Sequence, residues 1–286
     1  MIDFEKANER FLNALSFYLY SAENAVRRED YISVKNCGVD GETAFALLLA
    51  EALGVDTEKE KEFFGEYFRP SIKRLDVSDY IFDEFYKIMS SACGAVGDVT
   101  LSMMTQKAFC GFVRDDFLYF DNGKVLPRIG FFEEDYRYPA VKKGGVEWMT
   151  LLPNEIESQK KYVDAAFGKV LTYGLGLGYY AFKVAQKPTV ESVTCVDIDK
   201  SVIDLFEKEI KPKFPKETAA KIKIVNSDAF AFAENVKDKE FDYIYADIWR
   251  DVSDGVGLYL KFKERERFAP SAKFGYWIED TIRYYL

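Results

Sequence analysis

From Pro153 onward the chain alternates short apolar runs with amphipathic ones, and this alternation restricts its possible folds more than any other feature. NEIESQKKYVDAAF sets Ile156, Val163 and Phe167 on one helical face, and Gly168 ends it. KVLTY then reads as a strand, GYYAFKVAQ as a helix closed by Pro188, and SVTCVDI as a second strand. SVIDLFEKEI is an amphipathic helix through Val202, Leu205, Phe206 and Ile210, followed by strand KIKIVNSD and the short helix AFAFAENV. FDYIYADI is a fourth strand and LYLKFKERERF a helix; FGYWIEDTIRYYL leaves room for a fifth strand and no more. Strands that alternate with helices join by right-handed crossovers, so the expected product is an α/β unit with a mostly parallel sheet and flanking helices.

The part before Pro153 lacks this alternation. Phe4, Ala7, Phe11, Leu15 and Tyr18 recur at helical spacing, Asp40 can cap a helix through TAFALLLAEAL, and Gly54 stands where that helix would stop. Phe63, Phe64, Tyr67 and Phe68 form another apolar face cut off by Pro70, and Ser78 can cap a helix through Ile81, Phe82, Phe85, Tyr86 and Met89. LSMMTQKAF also favours helix. Near Phe117 the pattern turns extended, and FLYF and KVLPRIGFF flank Asp121-Asn122-Gly123, a strong hairpin signal. The expected organisation is a helical N-terminal domain over residues 1–112, a small β element over 113–150 and the α/β domain over 151–286.

Composition narrows the chemistry. The 286 residues suit two ordinary domains, and a net charge of −9 gives no general field for gathering phosphate backbones, so no nucleic-acid partner is expected. There is no histidine, which rules out Ser-His-Asp, Cys-His and zinc-histidine mechanisms; proton transfer falls to Asp, Glu, Tyr, Lys, Cys or water, and no metal is expected. Cys37, Cys93, Cys110 and Cys195 form no CxxC pair and read as reduced thiols, as in a cytoplasmic protein. The opening MIDFEKANERF reads as no signal peptide, and no apolar run reaches membrane-spanning length.

The chemistry-bearing motif is the first strand–helix turn, Tyr173-Gly174-Leu175-Gly176-Leu177-Gly178. Glycines let a backbone turn tightly and approach a ligand, and the helix behind them offers free N–H groups. The dinucleotide fingerprint GxGxxG needs a third glycine where Tyr179 stands, so the pattern is GxGxG. The second strand ends at Asp197, where an acidic side chain can accept both hydroxyls of a ribose. Asp199 is the better cap for the next helix, which leaves Asp197 for a ligand. Asp228 ends the third strand and Asp247 the fourth, and open α/β sheets bind ligands at the carboxyl ends of their strands.

GKVLTYGLGLGYYAF, SVTCVDIDKSVIDLF, KIVNSDAF and FDYIYADIW resemble the successive motifs of class I S-adenosylmethionine-dependent methyltransferases, over residues of about 150–250. The resemblance implies a Rossmann-like fold that binds S-adenosyl-L-methionine. By it, Gly174, Leu175, Gly176 and Gly178 lie along the methionine part of the cofactor. Asp197 holds the ribose hydroxyls with Ile198 against the adenine, Asp228 receives the adenine amino group with Ala229 giving a backbone N–H, and Asp247 faces the methionine amino group or the acceptor. Met149 to Pro153 stand where the family closes over the cofactor. Thr172 departs from the acidic residue usual two places before the first glycine.

The function implied is methyl transfer to a small-molecule acceptor, with Asp247 as the group that orients or deprotonates it, Tyr179, Tyr180 and Trp249 near it, and a homo-oligomer compatible with the sequence. A second resemblance leads to another reaction. VDIDKSVIDLF is similar to the second-strand motif of aminopropyltransferases of the spermidine synthase type, and the acids of residues 247–254 resemble that family's amine-binding loop. The glycine turn here lacks that family's embedded Asp, and its His-Gly-Glu segment is absent. A third reading is a nucleotide-binding or interaction protein without catalysis. An NAD-dependent enzyme stands further off because of Tyr179.

Overall fold

The computed structural model describes residues 2–22 and 24–286. Helices α1 (Phe4–Ser21), α2 (Arg28–Asn36) and α3 (Gly41–Ala52) come first, followed by the helical turns α4 (Lys61–Phe63) and α5 (Arg69–Ser71), with a wider turn through Phe64–Phe68 between them. Strand β1 (Ile72–Leu75), α6 (Ser78–Ile81) and α7 (Glu84–Ser90) lead to strands β2 (Ala95–Val96), β3 (Val99–Gln106), β4 (Phe112–Tyr119), β5 (Val125–Phe132), β6 (Tyr136–Lys143) and β7 (Val146–Thr150). The alternating part runs α8 (Pro153–Ala165), β8 (Gly168–Tyr173), α9 (Tyr179–Ala185), β9 (Val190–Asp197), α10 (Lys200–Leu205), α11 (Lys216–Lys221), β10 (Ile222–Asn226) and α12 (Ala229–Ala233). It ends with β11 (Tyr243–Ala246), α13 (Val252–Lys263), β12 (Lys273–Tyr276) and α14 (Glu279–Tyr284).

Two compact units result, one of residues 1–82 with 105–137, the other of residues 83–104 with 138–286. In the first, Phe11, Tyr18, Leu49, Tyr67 and Phe68 are buried, and Phe45 stacks on Phe131 at 4.1 Å between ring centroids. Buried Asn8 is bonded through both ends of its amide: it donates to the Gly123 carbonyl at 3.0 Å and accepts from Val125 N at 2.9 Å and the Tyr67 hydroxyl at 2.7 Å. This ties the expected 122–123 hairpin to α1. The helix expected at LSMMTQKAF is instead strand β3, in the sheet order β2-β3-β6-β7. Its Leu, Met and Gln tolerate helix, but strand pairing overrides that weak preference. The single helix expected from Ser78 breaks in two, because Asp83 caps α7 by accepting from Phe85 N and Tyr86 N.

The second unit holds the expected α/β sheet, in the order β10-β9-β8-β11-β12, with parallel pairing throughout. Its central strands are buried on both faces, which is why they read as continuous apolar runs: Val170, Leu171, Val193, Val196, Ile244 and Tyr245 are all nearly inaccessible. The fifth strand falls at Lys273–Tyr276, inside the segment with room for one. Register then fixes the site. Tyr173 pairs with Val196 on one side and with Ala246 on the other, so Gly174, Asp197 and Asp247 follow as the next residues along one rim. Asp197 pairs with Asn226, which brings Ser227 and Asp228 to the same rim.

Among the described residues no helix is long and apolar enough to cross a membrane.

Candidate functional site

The rim opens into a cavity of about 620 Å³ within the second unit, a size suited to a small ligand. Gly174, Leu175, Gly176, Asp197, Ile198, Asp228, Ala229 and Asp247 all line it. Gly178 does not. A Cβ there would lie 2.3 Å from the Phe206 ring, so the packing of α9 against the segment after α10 itself requires a glycine, at a φ of +88°. Gly174 is required for a different reason: at φ +92°, a Cβ would come within 1.9 Å of the Asp247 carbonyl oxygen. The glycine turn and the fourth-strand acid are therefore in backbone contact.

Asp197 clasps this rim. One carboxylate oxygen accepts from Leu175 N at 2.9 Å and the other from Asp199 N at 2.8 Å. Burial pushes its carboxyl up from the ordinary range, against the pull of those two amides. A carboxylate oxygen has more than one acceptor site, so with one amide on each Asp197 oxygen both can still accept a neighbouring hydroxyl. Asp199 caps α10, accepting from Ser201 N and Val202 N, and also pairs with Lys143 at the end of β6. Burial opposes ionisation of Asp199, but Lys143 and these amides outweigh it and hold the carboxyl below its usual value. Ile198 is 70 % exposed at the mouth. Asp228 is exposed and caps α12 by accepting from Ala231 N at 2.8 Å, leaving its second oxygen free of that bond.

The inner end of the cavity is acidic. Gln159 of α8 extends its amide nitrogen to Asp247 at 3.3 Å and to Glu155, one turn earlier, at 3.4 Å. Burial pushes Glu155 up to about 7. Asp247 lies well above the carboxylate range, through burial first and the nearby Glu155 second. Glu155 adds to the rise at Asp247, so ionisation of one carboxyl opposes ionisation of the other. Tyr180 and Tyr245 stack beside them at 4.2 Å. Thr172, buried where the methyltransferase motif has an acid, donates its hydroxyl to the Gly174 carbonyl at 3.3 Å.

Sequence reasoning did not single out Glu155, Gln159, Trp148 or Trp277, which all line this cavity. The signal for the helix pair was present: Ser158 and Gln159 are polar residues on the buried face of α8, and Glu155 lies four residues before Gln159 on that face. Trp277 is fixed by an indole N–H donated to Ser158 Oγ at 2.8 Å. Met149 and Thr150, from the expected covering stretch, also reach the wall, as do Tyr179, Tyr180 and Trp249. Asp251 and Asp254, which made residues 247–254 resemble an amine-binding loop, lie outside the cavity lining. They form the capping box of α13, with Asp251 accepting from Ser253 N and Asp254 from Asp251 N.

Comparison with known proteins bears on the same region. Residues 158–269 match the family model described as Spermine/spermidine synthase domain. The polyamine aminopropyltransferase of Clostridium botulinum (strain Alaska E43 / Type E3) is 30% identical over 93 residues, 32% of this chain and 32% of that protein. The polyamine aminopropyltransferase of Leptospira interrogans is 37% identical over 82 residues, 28% of this chain and 16% of that one. Putrescine N-methyltransferase 2 of Nicotiana tabacum is 30% identical over 105 residues, 37% of this chain and 29% of that protein. The matched stretch thus spans about a third or less of these relatives. A solved spermidine synthase in complex with the transition-state analogue AdoDATO superposes loosely, with a TM-score of 0.34 and 18% identity over 49% of this chain and 52% of that one. The α/β part of the chain has a Rossmann-like fold, and residues 158–269 resemble the spermidine synthase family.

Proposed function

We propose that this chain is a transferase that moves an aminopropyl group from decarboxylated S-adenosylmethionine to a small amine. The observation that carries the proposal is the acidic inner end of the cavity, where Glu155 and Asp247 meet around Gln159 with no lysine or arginine bonded to them among the described residues. The cavity's cations are spent elsewhere: Lys143 pairs with Asp199, and Arg250 is exposed beside Asp254. A sulfonium with an alkylammonium arm suits such a wall, whereas an amino-acid carboxylate would meet two acids. The aminopropyltransferases and amine methyltransferases among the relatives agree with an amine acceptor.

In this reading Asp197 accepts the ribose hydroxyls, Ile198 lies along the base with Asp228 and Ala229 beyond it, and the glycine turn lets the donor approach the backbone. The amine nitrogen attacks the propyl carbon bound to the sulfonium sulfur. The carbon–sulfur bond breaks, its electron pair stays on sulfur to give methylthioadenosine, and the attacking nitrogen gives its extra proton to Asp247. The protein's main contributions are alignment of the two reactants and exclusion of water.

The second reading is methyl transfer from S-adenosyl-L-methionine to an amine, supported by the putrescine N-methyltransferases among the relatives. Product analysis separates the two. Incubation with both donors and a set of diamines is expected to yield methylthioadenosine; S-adenosylhomocysteine in its place assigns methyl transfer, and neither product removes both readings.

A further inference from the structure

The loop that follows β9 is held from two sides. From the end of β10, Asn226 donates its amide nitrogen to the carbonyls of Asp197 and Ile198 at 2.9 and 3.0 Å, and Ser227 N donates to the Asp197 carbonyl at 3.0 Å. These bonds fix the backbone of the loop and leave its side chains to be placed by other contacts. From the end of β6, Lys143 pairs with Oδ2 of Asp199, whose Oδ1 caps α10. The Asp199 N–H in turn donates to Oδ1 of Asp197 at 2.8 Å. A short chain of contacts thus joins Lys143 to the carboxylate assigned to the ribose, and all three residues line the cavity.

Charge gives this chain of contacts its weight. Asp98, Asp197 and Asp199 all act on Lys143, which is the only lysine among the described residues that lines the cavity. Arg250, the other cation there, faces Asp254. Asp199 opposes ionisation of its buried neighbour Asp197, and Lys143 favours it. Without the ammonium the two carboxylates would repel each other uncompensated, and the more buried Asp197 would turn away or take up a proton. Either change removes an acceptor that a pair of ribose hydroxyls needs. We infer that Lys143 is a positioning residue of the ribose subsite: through Asp199 it holds the Asp197 carboxylate in place to accept two neighbouring hydroxyls. This rests on the adenosyl reading of the cavity above.

Calorimetric titration of wild type, Lys143→Met and Lys143→Arg with methylthioadenosine and with its 2′-deoxy analogue, which offers Asp197 one hydroxyl in place of two, tests it. Wild type should bind methylthioadenosine about tenfold more tightly than the analogue, the usual scale for a charge-assisted bond. Lys143→Met keeps the length of the side chain and removes its charge. It should lose about tenfold in affinity for methylthioadenosine and only about twofold for the analogue, so that the ratio between the two ligands closes. Retained binding of the analogue shows that the variant is folded, and Lys143→Arg should restore most of the ratio. A lysine that only seats the hairpin would weaken both ligands alike. That result in Lys143→Met overturns the inference and leaves the adenosyl reading standing. Equal binding of the two ligands by wild type overturns the ribose assignment of Asp197 and the inference with it. Failure of wild type to bind methylthioadenosine overturns the adenosyl reading and the inference together.

Discussion

Gly174 and Gly176 belong to one motif, but the structure uses them differently. Both have positive φ, +92° and +56°, yet only Gly174 faces an obstacle, the Asp247 carbonyl, while nothing lies near Gly176. An alanine at Gly176 should cost about 1–2 kcal/mol, the left-handed penalty alone. Gly174→Ala adds a backbone collision that only displacement of Asp247 relieves, so its loss should be clearly the larger in urea unfolding. Equal losses would show that the turn and Asp247 are not in contact. Asp197 carries a different prediction. Asp197→Ala should weaken methylthioadenosine binding by roughly 10–100-fold through the lost ribose bonds. Wild-type affinity in that variant contradicts the ribose assignment.

Residues at strand ends were legible because the parallel register puts them in one row. Gly174, Asp197 and Asp247 each follow an apolar strand, so the period of the strand announces the position. Glu155 was not legible in this way. A glutamate in the first turn of a helix is ordinary, since the helix dipole favours it there. Only the cavity beside α8 distinguishes it, and that is a property of packing between elements far apart in sequence. Gly178 shows another limit: the motif places it at the ligand, and its close packing against the Phe206 ring leaves no mark in the local sequence.

At the scale of elements, the β6–β7 hairpin supports a prediction that needs no mutation of the acids. Its turn is Gly144-Gly145, both at positive φ, and Trp148 on β7 is 43% exposed while lining the cavity. Lys143 ties the hairpin to Asp199 in the loop after β9 and lies 5.5 Å from the Trp148 ring. All three tryptophans of the chain, Trp148, Trp249 and Trp277, line the same cavity. Trp249 and Trp277 are already buried, so Trp148 has the most solvent to lose when a nucleoside enters. Methylthioadenosine should shift tryptophan emission to the blue, and Trp148→Phe should remove most of that shift. A full shift in the variant would mean that the hairpin does not cover the ligand.

The elements most legible in the sequence were those with a strong period. The α/β alternation after Pro153 translated into β8 to β12 because a doubly buried strand must be apolar throughout and its helices amphipathic. Strands β1 and β3 were hidden. Ile72-Lys73-Arg74-Leu75 shows no alternation and is held by parallel pairing with β5, a partner more than fifty residues away. Val99 to Gln106 contains good helix formers and is a strand through its neighbours in the sheet. Pairing partners distant in sequence leave no local mark.

For the whole molecule, the acidic cavity ties stability to pH. Glu155 titrates near its ordinary 4.5 in an unfolded chain and about 7 in the folded one. Between those values the folded state keeps a proton that the unfolded state has lost. The resulting stabilisation is complete below about 4.5 and disappears as pH rises through about 7. Asp247 is raised too and acts in the same direction. Carboxyls held below their usual range, such as Asp199 beside Lys143 and Asp251 at the α13 cap, act oppositely, and their stabilisation is lost as pH falls toward strongly acidic values. Comparing a variant with wild type at each pH cancels those other groups. Glu155→Gln keeps the shape and removes the charge, so it should gain stability over wild type at pH 8, on the order of 1–3 kcal/mol, and little or none at pH 5. Saturating decarboxylated donor should reverse the order at pH 8, because the bound ammonium makes the ionised Glu155 an asset that glutamine lacks. Chemical denaturation at both pH values, with and without donor, reads all four combinations. A variant that follows wild type at pH 5 and pH 8 alike without donor would show that Glu155 is ionised and solvated in the folded protein, and that burial does not raise its carboxyl.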